Sequence, residues 1–316
     1  MRIAIHAFDG ITMFHLAAPL LVFGEVDRLG LAEGWTPTVW TDDGGPVRTA
    51  EGLLVDDVAG PSVVDDADLL VFPSWPTDLA PADERMTERM HAAHTRGSQV
   101  VGLCLGAFPV VDSGLLDGRT AVTHWDAAAE LAGRRPGVVV DAAALYLDHG
   151  DVLTSAGTAS AIDACLHLVR EHLGASAAAT LARHLVVAPH REGGQAQYVA
   201  RPMPQSGEVA HLGSTLEWAL THLEQPLTVD RLADHAGMSR RHFTRRFAEV
   251  TGTTPARWLL ARRLDEAREL LETTRLTIAA VARACGFGSA VTFRQNFIAA
   301  FGTSPTSYRQ RFSLDA

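Results

Sequence analysis

One pattern near the end of this 316-residue chain occurs twice, and no other feature constrains its fold as tightly. The first copy reads Gly237-Met238-Ser239, then Phe243 and Phe247, then Gly252-Thr253-Thr254-Pro255. The second reads Gly286-Phe287-Gly288-Ser289, then Phe293 and Phe297, then Gly302-Thr303-Ser304-Pro305. From serine to proline the copies keep one constant offset, and a helical stretch ending in glycine precedes each. Glycine ends a helix because it takes the left-handed conformation at little cost. Ser239 and Ser289 stand where an N-cap accepts the free N–H groups of the next helix. Phenylalanines four residues apart share a helix face, so each second helix anchors inward. The spacing predicts a duplicated helix–turn–helix, a reader of duplex DNA.

Opposite the phenylalanines, the first unit carries Arg240, Arg241, Thr244, Arg245 and Arg246. Guanidinium forks at Arg241 and Arg245 suit the O6/N7 edge of guanine, or phosphates. In the second unit Val291 replaces Arg241, Arg294 replaces Thr244 and Gln295 replaces Arg245. Gln295 suits adenine and Val291 a thymine methyl, which makes the second helix the weaker reader. The expected DNA-contacting set is Arg240, Arg241, Thr244, Arg245, Ser289, Val291, Arg294 and Gln295. Two plain helical hairpins with a solvated basic face would account for one arginine-rich helix, but not for two in-register copies.

Thr228 to Arg309 resembles the DNA-binding domain of AraC/XylS-type transcription regulators. The resemblance rests on Arg263-Leu264, Ala267-Arg268 and Leu270-Leu271, on the Gly286-Phe287 turn, and on Pro305 with Tyr308-Arg309. It implies two helix–turn–helix units joined by one long helix, reading double-stranded DNA, with RNA polymerase as a further partner.

Charge is divided to match. Residues 210–316 carry 14 Arg against 10 Asp and Glu, whereas residues 1–209 carry 13 against 27. Positive charge gathered in the repeat of an acidic chain fits local DNA contact rather than general coating. The chain has no lysine. Cys104, Cys165 and Cys285 form no CxxC pair and are odd in number, so neither a disulfide framework nor a zinc site is expected. No cofactor or metal is expected. The opening Met1-Arg2-Ile3-Ala4-Ile5-His6 reads as a strand rather than a signal peptide, and no apolar run has the length of a membrane span. A cytoplasmic protein is the expectation.

Residues 1–175 alternate short apolar runs with amphipathic stretches. Strands are predicted at Arg2–Ala7, Thr36–Trp40, Asp68–Phe72 and Gln99–Leu103, and helices at Pro19–Leu29, Ala82–Thr95 and Ala159–Leu173. Val138–Leu147 and Asp151–Thr154 add edge strands. Such alternation gives an α/β fold, a flavodoxin-like, mostly parallel sheet with flanking helices, ahead of the all-α rear domain.

Within it, Val101-Gly102-Leu103-Cys104-Leu105-Gly106 has the layout of a nucleophile elbow with cysteine in the nucleophile's place. The N-terminus of the following helix would lower the thiol's pKa. Thr123-His124-Trp125 supplies an imidazole. Residues 1–190 resemble the PfpI/ThiJ-type, class I glutamine-amidotransferase-like domain through the cysteine turn, Gly114–Arg119, Thr123-His124-Trp125 and Leu153–Thr158. With the rear repeat, the whole resembles regulators of the GlxA, FtrA and AdpA-like group. The resemblance implies a dimerising front domain that senses a small molecule rather than a catalyst. His15 stands where the family's enzymes place a carboxylate, and Trp75 occupies a turn that is often glycine-rich in them.

His15, Trp75, Cys104 and His124 are the candidate pocket residues. Cys104 reads first as a ligand or redox contact, then as a structural thiol, and last as a nucleophile. His124 braces its loop or touches the ligand, and His15 lines the pocket or caps a helix. A cysteine-dependent amidase or hydratase-like enzyme and a thiol redox sensor are the rival readings. The polar, proline- and glycine-bearing stretch from Pro189 to Gly207 marks a boundary. The expected division is 1–190 for sensing and homodimerisation, 191–211 as linker and 212–316 for DNA binding.

Overall fold

A computed structural model describes residues 1–187, 193, 207–251 and 253–312, so most of the expected linker and Gly252 lie outside the described residues. Two compact units emerge. The first holds Met1–Val169 and the chain from Ala179; the second holds Arg170–Ala178 and the helices from Gly207 onward.

The first unit opens with β1 (Arg2–His6), α1 (Met13–Arg28) and β2 (Thr36–Trp40), then a hairpin of β3 (Val47–Arg48) and β4 (Leu54–Val55). It continues through β5 (Leu69–Phe72), α2 (Glu84–Thr95), β6 (Gln99–Leu103), α3 (Ala107–Asp112), β7 (Thr120–Ala121) and α4 (Ala128–Arg134). Strands β8 (Val139–Val140), β9 (Tyr146–Asp148) and β10 (Val152–Ser155) follow, then α5 (Ala159–Leu173) and α6 (Ala175–His184). The main sheet runs β2-β1-β5-β6-β10-β9. Its pairs are parallel except β9 with β10. Helices on both faces bury the central strands completely, which is why β5 reads as the unbroken apolar run Leu-Leu-Val-Phe. The chain leaves β1 for β2 on one side and later returns to β5 on the other. Open α/β sheets leave a crevice at the carboxyl ends of two strands where the order reverses in this way.

Two expectations need correction. The first helix begins at Met13 rather than Pro19, because Thr12 caps it by accepting from the His15 N–H. Pro19 then lies buried inside the helix. The single strand expected at Val138–Leu147 is split. Asp141 Oδ1 accepts from the N–H groups of Ala143 and Ala144 and turns the chain, so β8 pairs with β7 while β9 joins the main sheet.

The second unit is helical: α7 (Gly207–Leu220), α8 (Val229–His235), α9 (Arg240–Thr251), α10 (Pro255–Thr273), α11 (Ile278–Ala284), α12 (Ala290–Phe301) and α13 (Pro305–Phe312). Helix α10 serves two cores. Its first half places Trp258 and Leu259 against Leu232, Phe243 and Phe247. Its second half places Leu264, Ala267 and Leu271 against Val281, Phe293, Phe297 and Tyr308. Beside the second core, buried Arg268 donates to the Tyr308 oxygen at 2.9 Å and to Glu171 at 3.1 Å. Tyr308 in turn donates to Glu272 at 2.6 Å. The Glu272 carboxylate also accepts from the backbone N–H groups of Ala175 and Ser176, both at 2.7 Å, capping the start of α6. Arg170 pairs with Asp265 at 2.8 Å. No described helix is long and apolar enough to cross a membrane.

Candidate nucleic-acid interface and front cavity

Each helix–turn–helix is set by a few local bonds. Helix α8 starts at Thr228, whose side chain accepts from the Arg231 N–H, and turns at Gly237 with φ +66°. Helix α11 starts at Thr277 and turns at Gly286 with φ +73°. A Cβ on Gly286 would fall 2.1 Å from the Leu223 carbonyl oxygen, so glycine is required there. Ser289 accepts from the Thr292 N–H at 3.1 Å, and Ser239 from the His242 N–H at 3.4 Å. Inward, Phe243 and Phe247 are fully buried against Trp258, and Phe293 and Phe297 against Tyr308.

The outward faces carry the expected reading groups. Arg241 and Arg245 are exposed on α9, and Val291, Arg294 and Gln295 on α12. The other three expected contacts are engaged locally. Arg240 pairs with Asp230 at 3.1 Å, Thr244 donates to the Arg240 carbonyl at 2.9 Å, and the Ser289 hydroxyl caps its helix. The α12 face also continues to Ile298, 47 % exposed, which the sequence reading missed. Its position two turns after Val291 was the available signal.

In the first unit, β6 runs into Cys104 with φ +54°, followed by a tight turn and α3. The elbow is close-packed: a Cβ on Gly157 would fall 2.0 Å from Cys104 Cβ. The thiol is buried, and the Thr123 hydroxyl donates to the Cys104 carbonyl at 2.9 Å. Burial pushes the Cys104 pKa up, against hydrogen bonds from Leu105 and Thr158 that favour the thiolate. The expected lowering by the following helix is therefore corrected: desolvation outweighs it.

A cavity of about 310 Å³ opens above the elbow at the ends of β1 and β5, lined among others by Phe8, His15, Ser74, Trp75 and Leu105. His15 Nδ1 shares a 2.6 Å hydrogen bond with the Thr12 hydroxyl, and its buried Nε2 has no partner among the described residues. Burial, reinforced by the nearby His124, lowers the His15 pKa against the pull of Glu51, so the ring is a neutral polar group. The Trp75 indole donates to the Ala80 carbonyl at 2.8 Å, which fixes the ring in the wall. The structure thus brings His15 and Trp75 into one cavity and leaves Cys104 beneath it. His124 stays beside its own loop, accepting from the Asp126 N–H. No group of His, Cys, Asp and Glu suited to a metal occurs among the described residues.

A parallel α/β unit followed by two DNA-reading helix–turn–helix units defines a DNA-binding transcription regulator. The DJ-1/PfpI family matches residues 1–171 and a helix-turn-helix domain matches residues 232–311. The chain is 31% identical to the HTH-type transcriptional regulator GlxA of Rhizobium meliloti, over 75% of this chain and 72% of that one. It is 29% identical to the HTH-type transcriptional regulator CdhR of Pseudomonas aeruginosa, over 88% and 82%. A solved AraC family transcriptional regulator from Pseudomonas putida shares the fold with a TM-score of 0.53 at 22% identity, covering 58% of this chain and 98% of that one. The chain belongs to the DJ-1/PfpI family and, with its AraC-type helix-turn-helix domain, to the GlxA- and CdhR-type transcription regulators.

Proposed function

We propose that the protein is a cytoplasmic homodimer whose front part, residues 1–190, takes a small-molecule effector and passes its state to residues 212–316 through a linker at 191–211, with RNA polymerase as the eventual partner on DNA. The observation that carries the effector reading is the cavity at the β1 and β5 ends, holding neutral His15 with a free ring nitrogen beside Trp75. Such a mix of apolar wall and a few unsatisfied polar groups is what small-molecule sites present. The buried thiol with its raised pKa speaks against nucleophilic attack. Dimerisation is supported by the exposed apolar side chains of α1, Phe14 at 48 % and Leu21 at 47 %. Leu53 and Leu54, more than half exposed, lie in the hairpin that Glu51 ties to the α1 start.

Sedimentation of the full chain tests assembly: a dimer is expected, dissociated by Phe14→Asp with Leu21→Asp. A monomeric wild type at micromolar concentration would overturn that part. For the effector, a metabolite library is screened by thermal shift on the wild type and His15→Trp. Stabilising compounds that act equally on both would remove the His15 cavity from the reading.

A further inference from the structure

A second cavity, of about 390 Å³, shares Phe8, Asp9, Trp75 and Pro76 with the first and is further walled by His6, Ala7 and the loop after β2. His6 ends β1 and is 3% exposed, its ring packed against Trp40 at 4.8 Å, Phe72 at 5.5 Å, Trp75 at 5.7 Å and Phe8 at 6.1 Å. Nε2 faces Asp42 Oδ2 at 3.8 Å, while Nδ1 is buried without a partner among the described residues. A neutral ring with its one proton on Nε2 has a lone pair on Nδ1, which then accepts a hydrogen bond.

The walls also select charge. Asp9, Asp42 and Asp43 line the cavity, and His6 is the sole basic side chain in the lining. One guanidinium, that of Arg89, meets Asp42 at 2.6 Å. Asp43 accepts from the Thr41 hydroxyl and the Gly45 N–H, which hold its carboxyl below the usual range. Phe8 and Trp75 add aromatic surface that attracts cations. The cavity lies in the crevice where the strand order reverses between β1 and β5.

We propose that this cavity binds a small primary ammonium ion, with His6 Nδ1 accepting one N–H, the aspartates compensating the charge and the aromatic rings covering its alkyl part. An N–H donor is essential, so a quaternary ammonium fails on the histidine; a neutral amide supplies the donor but not the charge. The assignment goes beyond the effector reading and makes no use of His15, although the two cavities share Phe8, Asp9, Trp75 and Pro76.

Calorimetric titration of the full chain with ethylammonium, propanamide, tetramethylammonium and acetate, at matched ionic strength, tests it. Saturable binding of ethylammonium alone is expected. His6→Phe keeps the aromatic packing and removes the acceptor, and Asp42→Asn removes charge at a half-exposed position where folding is safe. Each is expected to weaken ethylammonium by about tenfold or more. Absence of binding at millimolar concentration, equal binding of propanamide or tetramethylammonium, or undiminished affinity in Asp42→Asn and in a folded His6→Phe would each overturn the proposal.

Discussion

Two single residues in the front unit carry the sharpest chemical expectations. Cys104 sits at the elbow, but burial holds its thiol above the ordinary pKa of 9.0. Alkylation by iodoacetamide at pH 7.5 is expected to run slower than for a free thiol, accelerating only above pH 9; rapid labelling at neutral pH would contradict it. His15 shifts the other way, below its ordinary 6.5, so the unfolded chain binds its proton more readily. Stability linked to His15 is complete above about pH 6.5 and is lost as pH falls through the folded-state value. Denaturation curves of wild type and His15→Gln should therefore converge in slope above that pH and diverge below it. Cys104 was legible as a site candidate from residue type and spacing, and His15 from the family resemblance. The sign at Cys104 was not, because desolvation is a property of the surrounding fold rather than of the local turn. His6 was missed for the same reason. Its four aromatic neighbours come from β1, β2, β5 and the Trp75 loop, which no local pattern connects.

At the scale of elements, the duplicated motif was readable almost completely. Capping serine, glycine turn and inward phenylalanines each act within a few residues, so sequence spacing specifies them directly. The differences lie in the front unit, where the Thr12 cap and the Asp141 turn overrode the simpler reading of Pro19 and of one long apolar run. The arginines of the first recognition helix should behave unequally. Arg241→Ala is expected to cost about 1–3 kcal/mol on the preferred site and to relax choice at one base pair. Arg240→Ala should cost less, since part of its charge already meets Asp230. Gel shifts at fixed salt check both, and equal losses would remove the distinction. In the second core, Phe297→Ala should lower stability by about 3–5 kcal/mol, measured by urea denaturation.

For the molecule as a whole, Arg170–Ala178, at the junction of α5 and α6, belongs to the second compact unit although it precedes the polar stretch. Composition carries no record of which helix end packs where. Residues 170–178 supply Glu171 to Arg268 and the α6 N–H groups to Glu272. A rear fragment beginning at residue 207 leaves the buried Arg268 without one of its partners. Losing about 2 kcal/mol in this way shifts Tm by roughly 8 °C or more in a unit of this size. Calorimetry of fragments beginning at residues 170 and 207 should show that gap, and equal melting would assign the bonds no energetic weight.

The cap that Glu272 places on α6 also has a consequence for the order of synthesis. The N–H groups of Ala175 and Ser176 leave the ribosome about 97 residues before the carboxylate that accepts them. At about 5–20 residues per second, that helix start waits roughly 5–20 s for its acceptor during translation. The rear unit therefore closes only after most of the chain has been made, and a pause before Glu272 leaves its first segment uncapped.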